Sequence, residues 1–146
     1  MRWLHVGVMV ALALGAAACA ETRKSSAGFH LPDGDPQRGQ QVFVDLKCHA
    51  CHRVDGVALP APVADPPVPV VLGGIVQNVR TDGELAAAII DPSYHTASGY
   101  RLAEVRTGGL SRMGDFSEQM TVRELIDLVA FLQSRYTVRE PPMMYK

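Results

Sequence analysis

The sequence predicts an all-α protein, in which a few helices are joined by long loops. Two segments begin with Thr-x-x-Glu, at Thr81 and at Thr121, and this capping box opens many helices. A third begins with Asp35-Pro36, an N-cap residue followed by proline at the first helical position. No segment shows a convincing alternation of apolar and polar residues, so we expect little strand.

The length of 146 residues suits one compact domain with appendages. The 14 lysines and arginines nearly balance the 15 aspartates and glutamates, and no basic block is long enough to follow a nucleic-acid backbone. We therefore expect one domain and no nucleic-acid partner.

The N-terminal segment has the composition of a secretory signal. Arg2 precedes an almost unbroken apolar run from Trp3 to Ala18. This run is shorter than the ~20 residues that comfortably span a bilayer, and an uncleaved anchor is the alternative. We expect the domain to be exported, to the periplasmic side or the cell surface.

Cys19 follows three alanines, and this end resembles a bacterial lipoprotein signal. The resemblance implies a signal peptide of residues 1–18, cleavage before Cys19 and a lipid anchor on its thiol. Residues 19–34 then form a polar, flexible tether between membrane and domain. Cleavage after Ala20, which would discard Cys19, is the alternative.

The first helix is predicted to run from residue 36 to about residue 47. Gly39, Phe43 and Leu46 recur at helical spacing on one face. A glycine inside a helix costs about 1 kcal/mol relative to alanine. We therefore expect another backbone to pass close to Gly39.

The middle of the chain is rich in proline and apolar residues. Residues 54–74 contain five prolines among apolar side chains, which excludes a regular helix or a central strand and indicates extended backbone against an apolar surface. A short helix follows, from the Thr81 cap to Ile90, where Asp91-Pro92 stops it. Residues 93–120 are rich in turns.

The last helix is the clearest one in the sequence. Thr121 is its N-cap, and Met120 and Leu125 occupy the two positions of a hydrophobic staple. The tail of residues 137–146 is expected to be loose. The stripe predicted to be buried consists of Leu125, Leu128, Val129 and Leu132, with Phe131 on its flank.

Residues 48–52 read Cys-His-Ala-Cys-His and contain the C-x-x-C-H motif of c-type haem attachment. Two thiols one turn apart, Cys48 and Cys51, can reach two vinyl groups on one side of a porphyrin, and the imidazole of His52 then falls beneath the iron. The motif predicts one covalent haem c, which would also give the apolar segment 54–74 a surface to cover.

Three other interpretations of the motif compete. A thioredoxin-like redox pair belongs to a βαβ context that this sequence lacks. A zinc site would need four ligands from five consecutive residues, which cannot easily surround one ion. A disulfide between Cys48 and Cys51 would close a loop too short to stabilise much.

Beyond this motif, the sequence resembles the class I monohaem cytochromes c over residues 33–136. The segment GDPQRGQQVFVDLKCHACH is similar to the first helix of that family, and RMGDFSEQMTVRELIDLVAFLQS to its distal methionine segment and final helix. The resemblance implies a small cytochrome c fold for residues 35–136. Its N- and C-terminal helices would cross at Gly39, and its short middle helices and long loops would wrap around the haem.

The resemblance also implies a second axial ligand, Met113, opposite His52. Met113 lies in a glycine-flanked loop before the last helix, and glycine at 114 replaces the proline that commonly follows the ligand in the family. Glycine leaves that loop less rigid. The alternatives for the sixth position are Met120, His95, His30, Met143 and Met144.

On the other side of the haem, the family orients the ligand histidine with a proline carbonyl that accepts its Nδ1–H. Pro69 is the best match for that proline, and Pro67 is the alternative. His49, within the motif, is expected to be exposed.

The predicted function is one-electron transfer between redox protein partners of a respiratory chain, by a membrane-tethered carrier with no small-molecule substrate. The protein is predicted not to be an enzyme. Two alternatives remain open: a fixed haem-bearing subunit of a respiratory complex, and a haem enzyme or ligand binder in which Met113 leaves the iron.

Overall fold

The computed structural model describes residues 29–61, 70–94 and 99–139. Four helices lie in these ranges: α1 (Pro36–Asp45), α2 (Asp82–Ile90), α3 (Leu102–Val105) and α4 (Val122–Gln133). The strands of the same ranges are β1 (His52–Val54), β2 (Val70–Leu72), β3 (Gly74–Val76), β4 (Arg106–Thr107), β5 (Leu110–Ser111) and β6 (Tyr136–Val138).

The three helices predicted from their caps begin where the sequence indicates. The Asp35 carboxylate accepts hydrogen bonds from the backbone N–H groups of Gln37 and Arg38, at 2.8 and 3.2 Å. Both predicted capping boxes, at Thr81 and at Thr121, form in full. The prediction of these starts is confirmed.

Helix α1 ends two residues earlier than predicted. Lys47 takes a left-handed conformation, with φ of 58°, and the chain enters a short 3-10 turn at Cys48–Ala50. A non-glycine residue with positive φ cannot continue a right-handed helix. The turn therefore starts the C-x-x-C-H motif in a new direction.

Helices α1 and α4 pack against each other through the glycine face of α1. A Cβ atom at Gly39 would overlap the backbone carbonyl oxygen of Asp127. One turn on, the rings of Phe43 and Phe131 meet edge to face, with centroids 5.7 Å apart. Phe131 is fully buried, and these two rings form the middle of the core.

Helix α4 is buried more widely than its predicted stripe. Leu128, Val129, Phe131 and Leu132 are buried as predicted, but Ile126 and Asp127 are buried too, while Leu125 is half-buried. Helix α1 covers the side of α4 that holds Asp127. Because aspartate is polar, the hydrophobic pattern of the sequence could not show that this side is buried.

The strands form three two-stranded sheets: β1 with β2 and β3 with β6 are parallel, and β4 with β5 is antiparallel. The structure therefore differs from the predicted all-α fold by these three short strand pairs. It also contains helix α3 in the segment that was predicted to consist of turns. Strands of two or three residues are too short for a period-2 pattern to reveal. The two parallel pairs also join segments that are far apart in the chain, such as β3 and β6.

Several predicted features lie outside the described residues. These are the signal segment, Cys19, Pro67, Pro69, His95, Met143 and Met144. Near the domain end of the predicted tether, the Leu31 N–H donates to Asp82 at 3.1 Å, and a Cβ atom at Gly34 would lie 2.6 Å from the Ile126 carbonyl oxygen. Among the described residues, no helix is both long and apolar enough to cross a membrane.

Candidate functional site

The turn after α1 presents the C-x-x-C-H motif. The Ala50 N–H donates to the Lys47 carbonyl at 2.9 Å and the Cys51 N–H donates to the Cys48 carbonyl at 3.1 Å, which closes the turn. His52 follows as the first residue of β1. The motif is thus held between a helix that belongs to the core and a strand paired to β2.

An apolar cavity opens beside this turn. Cys48, His52 and Met113 line it together, although Met113 is 61 positions after His52 in the chain (113 − 52). The other lining residues are all apolar: Phe43, Leu72, Ile89, Phe116, Met120, Leu128 and Leu132. The cavity therefore joins two thioether groups, one imidazole and one thiol inside apolar walls, which suits a large flat hydrophobe with a metal ion at its centre.

His52 is half-buried and lines this cavity. Within the described ranges its Nδ1 atom is buried and meets no hydrogen-bond partner. Burial lowers the pKa of His52, and the backbone of Val70 acts in the opposite direction. The carbonyl oxygen is the only backbone atom of Val70 that can accept a hydrogen bond from the ring, so it is the part of Val70 that favours the protonated imidazole.

The two cysteines of the motif differ in environment. Both are free thiols, so the disulfide interpretation does not apply to this structure. Cys51 is exposed, whereas burial raises the pKa of the half-buried Cys48 to about 11. No three His, Cys, Asp or Glu side chains among the described residues converge as metal ligands.

The loop that carries Met113 is tied to the end of α2. The Met113 N–H donates to the Ser111 hydroxyl at 3.1 Å, and the Ser111 N–H donates to the Ser93 hydroxyl at 3.1 Å. Arg106 adds hydrogen bonds to the carbonyls of Ser93 and Gly109, at 2.8 and 3.1 Å. Met113 thus follows directly after the β4–β5 hairpin, which these hydrogen bonds hold to Ser93.

The predicted site residues are brought together in part. Cys48, His52 and Met113 share the cavity, but Met120 lines it too. His49 was expected to be exposed and is half-buried, and its buried Nδ1 has no hydrogen-bond partner in the described part of the chain. The prediction that the Pro69 carbonyl orients His52 is not tested, since Pro69 lies outside the described residues. Val70, the next residue, stands opposite His52 in the pairing of β1 with β2.

Comparison with known proteins found one family. A family model described as "Cytochrome c" matches residues 36–135, well over half of the chain. Comparisons with curated proteins and with solved structures gave no match.

Proposed function

Since the chain belongs to the cytochrome c family, we propose that it carries single electrons between redox proteins outside the cytoplasm. It has the fold of that family, with helices and a few short strands, and it binds haem c covalently through a C-x-x-C-H motif at Cys48, Cys51 and His52. The family therefore identifies a haem-binding electron-transfer protein. We further propose that His52 and Met113 are the axial ligands of this haem and that the protein turns over no substrate.

The observation that supports this proposal most directly is the cavity shared by His52 and Met113. Imidazole and thioether are the axial pair that gives cytochromes c a raised potential, and the bound haem supplies the one-electron couple. Cys48 and Cys51 would hold the group through thioethers. The half-buried Cys48 would anchor it from within the cavity, and the exposed Cys51 from its rim.

The remaining lining residues suit electron transfer better than catalysis. They are Phe, Leu, Ile and Met side chains that exclude water, and they provide no second acid–base group next to His52 among the described residues. A peroxide- or gas-activating haem enzyme needs such a group on the distal side. The walls would therefore shield both ligands from water and offer a polar substrate no second hydrogen-bonding group among the described residues.

A redox titration of the haem-loaded protein tests the proposal. We expect one reversible one-electron transition and fast exchange with a small metal-complex electron donor, with unchanged axial ligands in both oxidation states. Sustained peroxide turnover, or a ferric form in which a water molecule occupies the sixth position, would instead support the enzyme alternative.

We also propose that a lipid on Cys19 holds the domain near membrane-bound redox partners. The support is the alanine-rich sequence before Cys19 and the polar segment after it. Mass spectrometry of the mature N-terminus is the test, with Cys19→Ser as the control. A diacylated Cys19 is expected, and an unmodified Glu21 start would refute the anchor.

Extraction from membranes distinguishes a free electron carrier from a fixed subunit of a respiratory complex. Mild detergent extraction of native membranes is expected to release a free carrier. Co-purification of the haem protein with a larger enzyme in fixed ratio would favour a subunit of a complex.

A further inference from the structure

Tyr100 joins two segments that approach the haem cavity from different parts of the chain. Its hydroxyl oxygen accepts a hydrogen bond from the Val71 N–H at 3.3 Å. Val71 belongs to β2, beside the motif, whereas Tyr100 stands at the start of the segment that leads through α3 and the β4–β5 hairpin to Met113. The bond is thus a direct link between the His52 side and the Met113 segment.

The Val71 N–H that Tyr100 binds belongs to a peptide group close to His52. In the parallel pairing of β1 with β2, His52 stands opposite Val70, and the Val70 N–H donates to the Cys51 carbonyl at 3.1 Å. The Val70 carbonyl and the Val71 N–H belong to the same planar peptide group. Tyr100 therefore binds one end of the peptide whose other end approaches the imidazole.

Among the described residues, His52 has no hydrogen-bond acceptor for its buried Nδ1 atom. A buried donor left without an acceptor destabilises the folded protein. The Val70 carbonyl is the backbone acceptor on the strand that pairs with His52, so a small movement of β2 toward the ring would satisfy it.

We propose that Tyr100 is a positioning residue for His52, acting through the Val70–Val71 peptide group. This inference rests on the proposed function, since it concerns the histidine that binds the iron. Tyr100 limits how far β2 can move away from His52, and so keeps the Val70 carbonyl within a small movement of the Nδ1–H group. Its bond to the Val71 N–H also polarises the peptide and makes the Val70 oxygen a stronger acceptor.

The sign of the effect on the haem follows from the donor strength of the imidazole. A stronger acceptor on Nδ1–H gives the ring more anionic character, which makes it a more basic ligand and favours ferric iron. Loss of the Tyr100 hydroxyl should therefore favour the ferrous form and raise the potential. Hydrogen-bond cooperativity of ~10–30% per bond makes the expected shift modest, about twofold in the ferric–ferrous equilibrium constant.

The test compares Tyr100→Phe with Tyr136→Phe in the haem-loaded protein. Tyr136 is a half-buried tyrosine in β6, packed against the core, so its variant removes the same hydroxyl away from the Val70–Val71 peptide. We expect Tyr100→Phe to raise the potential by about 18 mV, which is the twofold change at 59 mV per tenfold. The His52 Nδ1–H resonance of the ferrous protein should move in Tyr100→Phe and stay unchanged in Tyr136→Phe.

Each other outcome overturns the inference. An unchanged or lowered potential in Tyr100→Phe would do so, as would an equal rise in Tyr136→Phe. A potential that changes while the His52 proton resonance stays in place would show that Tyr100 does not act through His52. A lowered melting temperature as the only change would show that Tyr100 contributes only to stability. A wild-type protein without a reversible one-electron transition would instead refute the proposed function.

Discussion

Gly39 in α1 lies so close to Asp127 in α4 that a methyl group on Gly39 would overlap the Asp127 carbonyl oxygen. The same methyl group would come within 2.8 Å of the Phe131 Cβ. Backbone atoms cannot swing aside as a flexible side chain does, so the two helices reach this separation because residue 39 is glycine. The separation in turn lets Phe43 and Phe131 meet beside the haem cavity.

Gly39→Ala is therefore expected to destabilise the haem-loaded protein, although alanine has the higher helix propensity. Overpacking typically costs about 1–3 kcal/mol, and contact with backbone rather than side chain puts this site at the upper end. Denaturant unfolding measures the change. The matched control is Gln37→Ala on the exposed side of the same helix, expected to be neutral; equal stability of both variants would contradict the close packing.

Asp127→Asn is expected to remove a pH-dependent part of the stability. Two hydrogen bonds to the Asp127 carboxylate hold the pKa of Asp127 below its usual range: Arg38 Nε donates at 3.0 Å and the Asp35 N–H at 2.8 Å. The charge of Arg123 lowers this pKa further. A lowered folded-state pKa stabilises the fold above the unfolded pKa of ~3.9, and this stabilisation is lost as pH falls through the folded value.

Thermal unfolding of wild type and Asp127→Asn over a pH series checks this sign. The wild type should melt higher at neutral pH, and the difference should shrink as pH falls below the ordinary aspartate range. Asp33→Asn, at an exposed site, should show no such convergence. A difference that grows toward acid pH would contradict the assignment.

Thr121→Ala tests the helix start that follows the methionine loop. The Thr121 hydroxyl accepts from the Glu124 N–H at 3.2 Å, and the Glu124 carboxylate accepts from the Thr121 N–H at 2.7 Å. Loss of such an N-cap costs about 0.5–2 kcal/mol. Denaturant unfolding should show a loss in this range for Thr121→Ala and a much smaller one for Thr137→Ala, whose residue is exposed in β6.

Met113→Ala should abolish the methionine-to-iron charge-transfer band of the ferric protein at neutral pH. It should also shift the ferric–ferrous equilibrium toward ferric by roughly a hundredfold, because axial-ligand identity sets haem potentials over ~0.8 V. Met120→Leu is the matched control, since Met120 lines the same cavity and leucine preserves its apolar contact. We expect the control to keep the band.

The opposite pattern would reassign the sixth ligand. If Met113→Ala kept the band and Met120→Leu lost it, Met120 rather than Met113 would hold the iron. Retention in both single variants, with loss in the double variant, would mean that either thioether can bind.

The helix starts were predictable because the determinants of a cap are local. Asp35 and the two Thr-x-x-Glu boxes satisfy backbone N–H groups within three residues along the chain, and all three form as the sequence indicated. The short strands were not predictable. Their hydrogen bonds join positions such as Cys51 and Val70, and runs of three residues carry no periodic pattern.

The sequence by itself determined the chemistry of the attachment motif, since Cys48, Cys51 and His52 are neighbours whose spacing is fixed by covalent structure. It also predicted a close backbone contact at Gly39, because a glycine inside a helix is costly unless packing requires it. The tertiary structure decided which distant groups meet that motif. Met113, Met120 and the Val70 carbonyl approach His52 through strand pairing and helix packing, and those long-range contacts leave no local pattern in the chain.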